Sequence, residues 1–253
     1  MSDQAVQPAA EVKPGLTQWQ RVANIFTSPS KTFEDIKRGN RSWWLPFLIM
    51  VLVGYIFFAA VTAKIGWDQV AQNAIHLNPK AEERMQQAPP AQREMTMKIT
   101  QSITEGIAAS TPIFLLVFAA VMALVLWGTV NFLFAGKAQF PSIFAVMMYG
   151  FLPGTIKTIL GTIVTFAGMA PESFNIRNFA PTNLGAFLNP LETNPGLYAF
   201  ASAIDFTTIW TLIVVSIGLA IVAGVKRSSG YIAVFGWWAI VTLIGAGWAA
   251  IMG

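Results

Sequence analysis

Five long apolar stretches dominate the sequence, and each is long enough to cross a bilayer as a helix. They occupy residues 43–65, 112–135, 142–169, 196–225 and 229–252. A hydrocarbon core of about 30 Å needs about 20 helical residues. Only 11% of the residues are charged, against about 25% in soluble domains, so a water-exposed globular surface is excluded. The sequence predicts an all-α, polytopic integral membrane protein with five transmembrane helices.

The residues before the first span divide into a polar tail and an amphipathic arm. Residues 1–15 are small and polar, and we expect them to form a disordered cytoplasmic tail. Residues 16–42 carry apolar side chains at helical spacing, and we expect an interfacial arm on an anionic membrane surface. Packing of the same helices on the protein's own bundle is the alternative. The candidate membrane-surface residues are Trp19, Phe26, Lys31, Lys37 and Arg38.

Basic residues are unevenly distributed between the two sides of the predicted bundle. Six precede the first span, and the N-terminal side carries nine in total against five in the loops of the other side. Because cytoplasmic segments are enriched in Lys and Arg, the N-terminus is predicted to be cytoplasmic and the C-terminus outside. We expect a multi-pass protein of the cell inner (cytoplasmic) membrane. The net charge of only +4 gives no reason to expect a nucleic-acid partner.

Two ionisable residues fall inside the predicted spans. Lys157 lies about 18 Å and Asp205 about 13–14 Å from the outer ends of spans three and four, at 1.5 Å per residue. An isolated charge in lipid is costly, so we expect the two side chains to face one another beside Pro153. Together with Tyr149 they form a candidate intramembrane polar site. Either a structural ion pair or an ion or substrate site explains them.

Span three contains a helix-breaking run, Tyr149-Gly150-Phe151-Leu152-Pro153-Gly154. Pro153 removes a backbone donor and frees a carbonyl, so a kink or break is predicted there. Gly150 and Gly154 are four residues apart, a spacing that lets a second helix approach closely. The run is either a structural kink at a tight crossing or a hinge.

Motifs for catalysis or cofactor binding are missing from the sequence. The chain has no cysteine and one histidine, which argues against thiolate metal sites and His-based triads. No HExxH, GxSxG or P-loop pattern occurs. We therefore expect no enzymatic activity, no cofactor and no bound metal. The expected partner is the lipid bilayer, with protein partners or self-association through glycine-rich helix faces left open.

Four segments carry a resemblance to a known family. They are residues 25–36 (IFTSPSKTFEDI), 149–153 (YGFLP), 183–188 (NLGAFL) and 205–210 (DFTTIW). In this order and spacing they resemble the Yip domain family, the Ypt-interacting, YIPF-like proteins, in its bacterial branch. The resemblance covers about residues 20 to 250. It implies a five-span helical membrane domain with a cytoplasmic N-terminus.

The resemblance also implies a role in membrane organisation or a trafficking-like interaction with lipid or protein partners. Eukaryotic relatives bind Rab-type GTPases and act in vesicle traffic. Their Asp-Leu-Tyr-Gly-Pro motif is not present here in that form, which argues against a GTPase partner. The expected function is non-enzymatic membrane organisation. The alternative is a small-solute or ion transporter or channel centred on Lys157 and Asp205.

Overall fold

A computed structural model of the chain describes residues 15–252, without the side chain of Met252. The predicted tail, residues 1–15, therefore falls almost wholly outside the described residues. Five helical segments are long and apolar enough to cross a membrane: Trp44–Lys64, Thr111–Leu133, Phe140–Phe166, Phe206–Ala223 and Arg227–Ile251. The prediction of an all-α membrane protein with five spans is confirmed.

Twelve α-helices build the described chain. They are α1 (Gln18–Thr27), α2 (Pro29–Lys37), α3 (Trp44–Lys64), α4 (Trp67–His76), α5 (Pro79–Gln87), α6 (Pro90–Ala109), α7 (Thr111–Gly128), α8 (Phe140–Gly150), α9 (Thr155–Phe166), α10 (Pro195–Ala203), α11 (Phe206–Ala223) and α12 (Arg227–Met252). A π-helical turn over Thr129–Leu133 extends α7. The arm is α1 and α2, and span one is α3.

Span three is interrupted at the predicted place. Helix α8 ends at Gly150, a 3₁₀ turn covers Leu152–Gly154, and α9 begins at Thr155. The carbonyl of Leu152 at this break accepts a hydrogen bond of 2.6 Å from the Thr155 hydroxyl. The backbone group is thereby paired within the protein, as the interior of a bilayer requires.

Span four is also interrupted, which differs from the single stretch 196–225 that hydropathy predicts. Helix α10 ends at Ala203, and Asp205 is the N-cap of α11. The loop before α10 hydrogen-bonds to the gap: Leu184 N donates to Ile204 O at 3.2 Å, and Phe206 N donates to Thr182 O at 2.9 Å. The break is possible because this loop supplies the partners that the helix gives up.

The main core lies where α8 and α11 cross beside the arm. Residues 142–150 of α8 are almost all buried. A Cβ on Gly150 would lie 2.5 Å from Val215 Cγ2 of α11, and one on Gly218 would lie 2.6 Å from Val146 Cγ1. The two helices therefore touch through their glycines, the close crossing expected of small residues in a membrane bundle.

Gly218→Val is expected to destabilise the fold by about 1–3 kcal/mol, because overpacking a tight contact forces neighbours to move. The new side chain meets Val146 and also Phe33, whose Cε1 lies 2.8 Å from the position of the added Cβ. Gly236→Val in α12 is the matched control, because nothing lies within 4 Å of a Cβ there. Unfolding in detergent measures both, and equal stability of the two variants would contradict the crossing.

A second, smaller core forms at the other end of the bundle, which we call the distal end. It contains Val61, Trp67, Val70 and Phe174. The Asn73 side chain of α4 donates to Pro171 O at 2.7 Å and to Phe174 O at 2.9 Å. These bonds fix the loop after α9 against α4.

Candidate functional site: the docked arm and the break between spans three and four

The arm is a helical hairpin that docks on the bundle. Ile25, Phe33 and Ile36 are buried in the main core, and Phe33 lies against Gly218 of α11. The face of the arm that carries these three residues therefore packs on the protein's own bundle, which was the alternative to a membrane surface in the sequence analysis. All five candidate surface residues are exposed: Trp19, Phe26, Lys31, Lys37 and Arg38.

The turn between α1 and α2 reaches well along the bundle. The Phe26 ring makes an edge-to-face contact with Trp210, with 5.8 Å between ring centroids. Trp210 is 14 residues before Gly224, about 21 Å along a helix axis. Lys37, by contrast, lies close to Gly224 at the end of α11. The hairpin therefore runs alongside α11 instead of lying flat across the end of the bundle.

A buried ion pair holds the two helices of the arm together. Arg21 Nε lies 3.6 Å from Asp35 Oδ2, and each side chain is only 2% exposed. Arg21 Nη1 also donates to Asn40 O at 2.9 Å and Ser42 O at 3.2 Å. The carboxylate of Asp35 accepts from Asn40 Nδ2 at 2.9 Å and Leu16 N at 3.2 Å. A buried charge needs this kind of compensation.

Sequence reasoning missed Arg21 and Asp35 as site residues. A usable signal was present, because Arg21 lies four residues before the apolar Ile25 and so shares its helix face. Asp35 likewise lies between Phe33 and Ile36, both fully buried. Charges on the apolar stripe of an amphipathic helix predict a buried pair when their signs are opposite.

Tyr149 belongs to this arm cluster and not to the predicted polar site. Its hydroxyl donates to Ser42 O at 3.1 Å, and the Arg21 guanidinium carbon lies 5.4 Å from its ring centroid, a cation–π arrangement. The structure therefore gives Tyr149 partners other than those expected. It joins α8 of span three to the residues that lead into span one.

Lys157 and Asp205 do meet, as predicted. Lys157 Nζ lies 3.0 Å from Asp205 Oδ2, with the lysine side chain 22% exposed and the aspartate 1% exposed. Lys157 follows the break in span three, where Pro153 is buried, and Asp205 forms the break in span four. The lysine ammonium also lies 5.6 Å from the centroid of the Phe179 ring.

The carboxylate of Asp205 is fully engaged by protein donors. Oδ2 accepts from the Thr182 hydroxyl at 2.6 Å as well as from Lys157. Oδ1 accepts from Thr207 N at 2.8 Å, the Thr207 hydroxyl at 2.6 Å and Thr208 N at 3.2 Å. A carboxylate offers about four lone-pair positions, so these donors leave no position for a ligand. The arrangement suits a structural ion pair that joins spans three and four and the loop between them.

Comparison with models of known protein families gives one match. A family model, the Yip1 domain, matches residues 23–249, from within α1 to near the end of α12. The chain belongs to the Yip1 domain family. The Yip1 match includes the second half of α1, all of α2 and the five spans as far as residue 249. Comparisons with curated proteins and with solved structures gave no significant match.

Proposed function

We propose that this Yip1-domain protein is a non-enzymatic membrane-organising protein that engages lipid or protein partners through the outer face of its docked arm. One observation carries the proposal: that face exposes apolar and basic side chains while the opposite face is fixed in the core. Trp19 is 67% and Phe26 39% exposed, and Lys31, Lys37 and Arg38 of the same hairpin are also exposed. An apolar surface bordered by basic residues is the composition that binds anionic leaflets.

Docking preorganises the arm, whereas a free amphipathic peptide has to fold when it binds. The Arg21–Asp35 pair and the buried Phe33 hold both helices folded before any partner arrives. Engagement therefore costs little ordering entropy, which is the advantage of a preorganised binding surface. Lys37 and Arg38 lie at the Gly224 end of the hairpin, so their charges engage the headgroups of one leaflet, and such asymmetry favours membrane curvature.

Vesicle shape tests the proposal. Wild-type protein reconstituted with anionic phospholipid is expected to give narrower or tubular vesicles by electron cryo-microscopy. The triple variant Lys31→Glu, Lys37→Glu and Arg38→Glu should leave them large and round. The matched control reverses three exposed basic residues elsewhere: Lys64→Glu, Arg84→Glu and Lys98→Glu. Unchanged vesicles with the wild type, or an equal loss in the control, would overturn the proposal.

The proposed location is the inner (cytoplasmic) membrane with the N-terminus in the cytoplasm, supported by the excess of basic residues before span one. Reporter fusions at residue 75 and at Gly253 should both give an external signal. Residue 75 lies in α4, after span one, and Gly253 follows span five, so the four spans between them put both positions on the same side. A cytoplasmic signal at Gly253 together with an external one at residue 75 would remove one span from the topology.

A small-solute or ion transporter is the second candidate. It is favoured by the meeting of two interrupted spans at Lys157 and Asp205, since discontinuous helices line the binding sites of many transporters. The saturated carboxylate supports the structural interpretation instead. Ion-flux assays in vesicles are expected to give the leak of protein-free vesicles. A flux that Lys157→Met abolishes would replace the membrane-organising proposal.

A further inference from the structure

The distal end of the bundle contains a cavity of about 800 Å³ that the arm does not reach. It forms where α10 and the last turns of α12 meet the start of α5 and the loop after α9. Its walls are largely apolar: Leu77, Phe174, Ile176, Leu191 and Trp248 are among the lining residues. The volume lies within the range of binding pockets for small amphiphilic molecules.

Two basic residues supply the charge of this cavity. Lys80 and Arg177 both line it, without an acidic residue among the described lining. Within residues 15–252, neither forms an ion pair with a carboxylate. Lys80 Nζ donates to Ile251 O at 3.1 Å, and an ammonium group has two further N–H donors. The cavity is therefore electropositive and has donors left for an anion.

The position of Lys80 places this charge at the membrane boundary. Ile251 is the last residue of the fifth apolar span, so the ammonium bound to its carbonyl lies where headgroups begin. Trp248, one turn earlier, lines the cavity and is 63% exposed. Aromatic side chains of this kind are typical of the interface. The cavity thus opens toward both the headgroup region and the lipid-facing surface of α12.

We propose that the distal cavity binds one anionic phospholipid. Its phosphate binds to Lys80 and Arg177, and an acyl chain lies against the apolar wall and leaves past Trp248 along the exposed surface of α12. A free phosphate would use the basic mouth alone and leave the apolar wall in water. The cavity is independent of the arm, so the proposal goes beyond the membrane-organising function and does not rest on it.

Native mass spectrometry of the full chain tests the proposal with lipids of matched acyl chains. We expect one phosphatidylglycerol to remain bound at concentrations where phosphatidylcholine does not. Lys80→Gln with Arg177→Gln should weaken that binding about 30-fold, since each basic residue beside an anionic lipid contributes about a fivefold factor. Arg84→Gln with Lys98→Gln is the control, because it removes two exposed distal charges outside the cavity.

A second variant separates a lipid from a simple anion. Ala199→Phe fills the cavity from α10 and leaves both basic residues in place, so it should also displace the phospholipid. Equal weakening by the control pair, or equal binding of phosphatidylcholine, would overturn the proposal. Competition by inorganic phosphate, with lipid binding undisturbed by Ala199→Phe, would show an anion site instead.

Discussion

Asp205→Ala is expected to lower the free energy of unfolding by about 3–5 kcal/mol, because it leaves Lys157 without its buried partner. The substitution also removes the cap of α11 and the acceptor for the Thr182 hydroxyl in the preceding loop. Lys157→Met should cost less, about 1–3 kcal/mol, since Asp205 keeps its donors from Thr182, Thr207 and Thr208. The two variants differ in expected cost because of the hydrogen bonds around Asp205, and not because of the two charges alone.

A double-mutant cycle of Lys157→Met and Asp205→Asn, measured by unfolding in bicelles, isolates the pair. Asn keeps an oxygen that can still cap α11, so the cycle reports mainly the charge interaction. The double variant should recover much of the single-variant losses, because it leaves no buried charge uncompensated. Strictly additive losses would mean that the two side chains do not interact.

Arg21→Met is expected to have the second large effect, about 3–5 kcal/mol, because Asp35 loses its buried cation and the carbonyls of Asn40 and Ser42 lose their donor. The loss should appear first as undocking of the arm. Faster amide hydrogen exchange in α1 and α2, with the five spans still protected, is the expected signature. The bundle keeps the direct contacts between α8 and α11 at Gly150 and Gly218.

Arg38→Met provides the control for Arg21→Met. Arg38 Nη2 lies 3.5 Å from the same carboxylate, but its side chain is 54% exposed. An exposed ion pair contributes less than about 1 kcal/mol, so this variant should leave the arm docked. Equal exchange rates in the two variants would show that the arm is held by its apolar residues alone.

The five apolar runs are enough to predict five spans. A segment in lipid must pair its backbone N–H and C=O groups with one another, and a helix does so within the segment. Pro153 marks the first break, since proline cannot donate to the helix. The second break is invisible to hydropathy: one aspartate in the apolar run 196–225 does not reveal that Thr182, 23 residues earlier, binds it. The pairing of Lys157 with Asp205 was predictable, because the depth of each residue in the membrane can be estimated from the number of residues between it and the outer end of its span.

The docking of the arm could not be predicted from the sequence in this way. Its periodic apolar residues predict helices with one apolar face, but they do not say whether lipid or protein covers that face. The close approach of Phe33 to Gly218 depends on a crossing between distant segments. Likewise, the partners of Tyr149 come from the residues just before span one and from α1. Single-sequence patterns contain local periodicity and do not contain these contacts.

The absence of cysteine from the sequence makes one direct measurement straightforward. A spin label on Trp19→Cys, in full-length protein in bilayers containing phosphatidylglycerol, reports what the outer face of the docked arm contacts. Gln87→Cys in α5 is the exposed reference. The account predicts an immobilised label at position 19 that oxygen reaches better than a water-soluble nickel complex, and the opposite preference at position 87. A mobile, nickel-accessible label at position 19 would contradict the claim that the arm acts on the membrane.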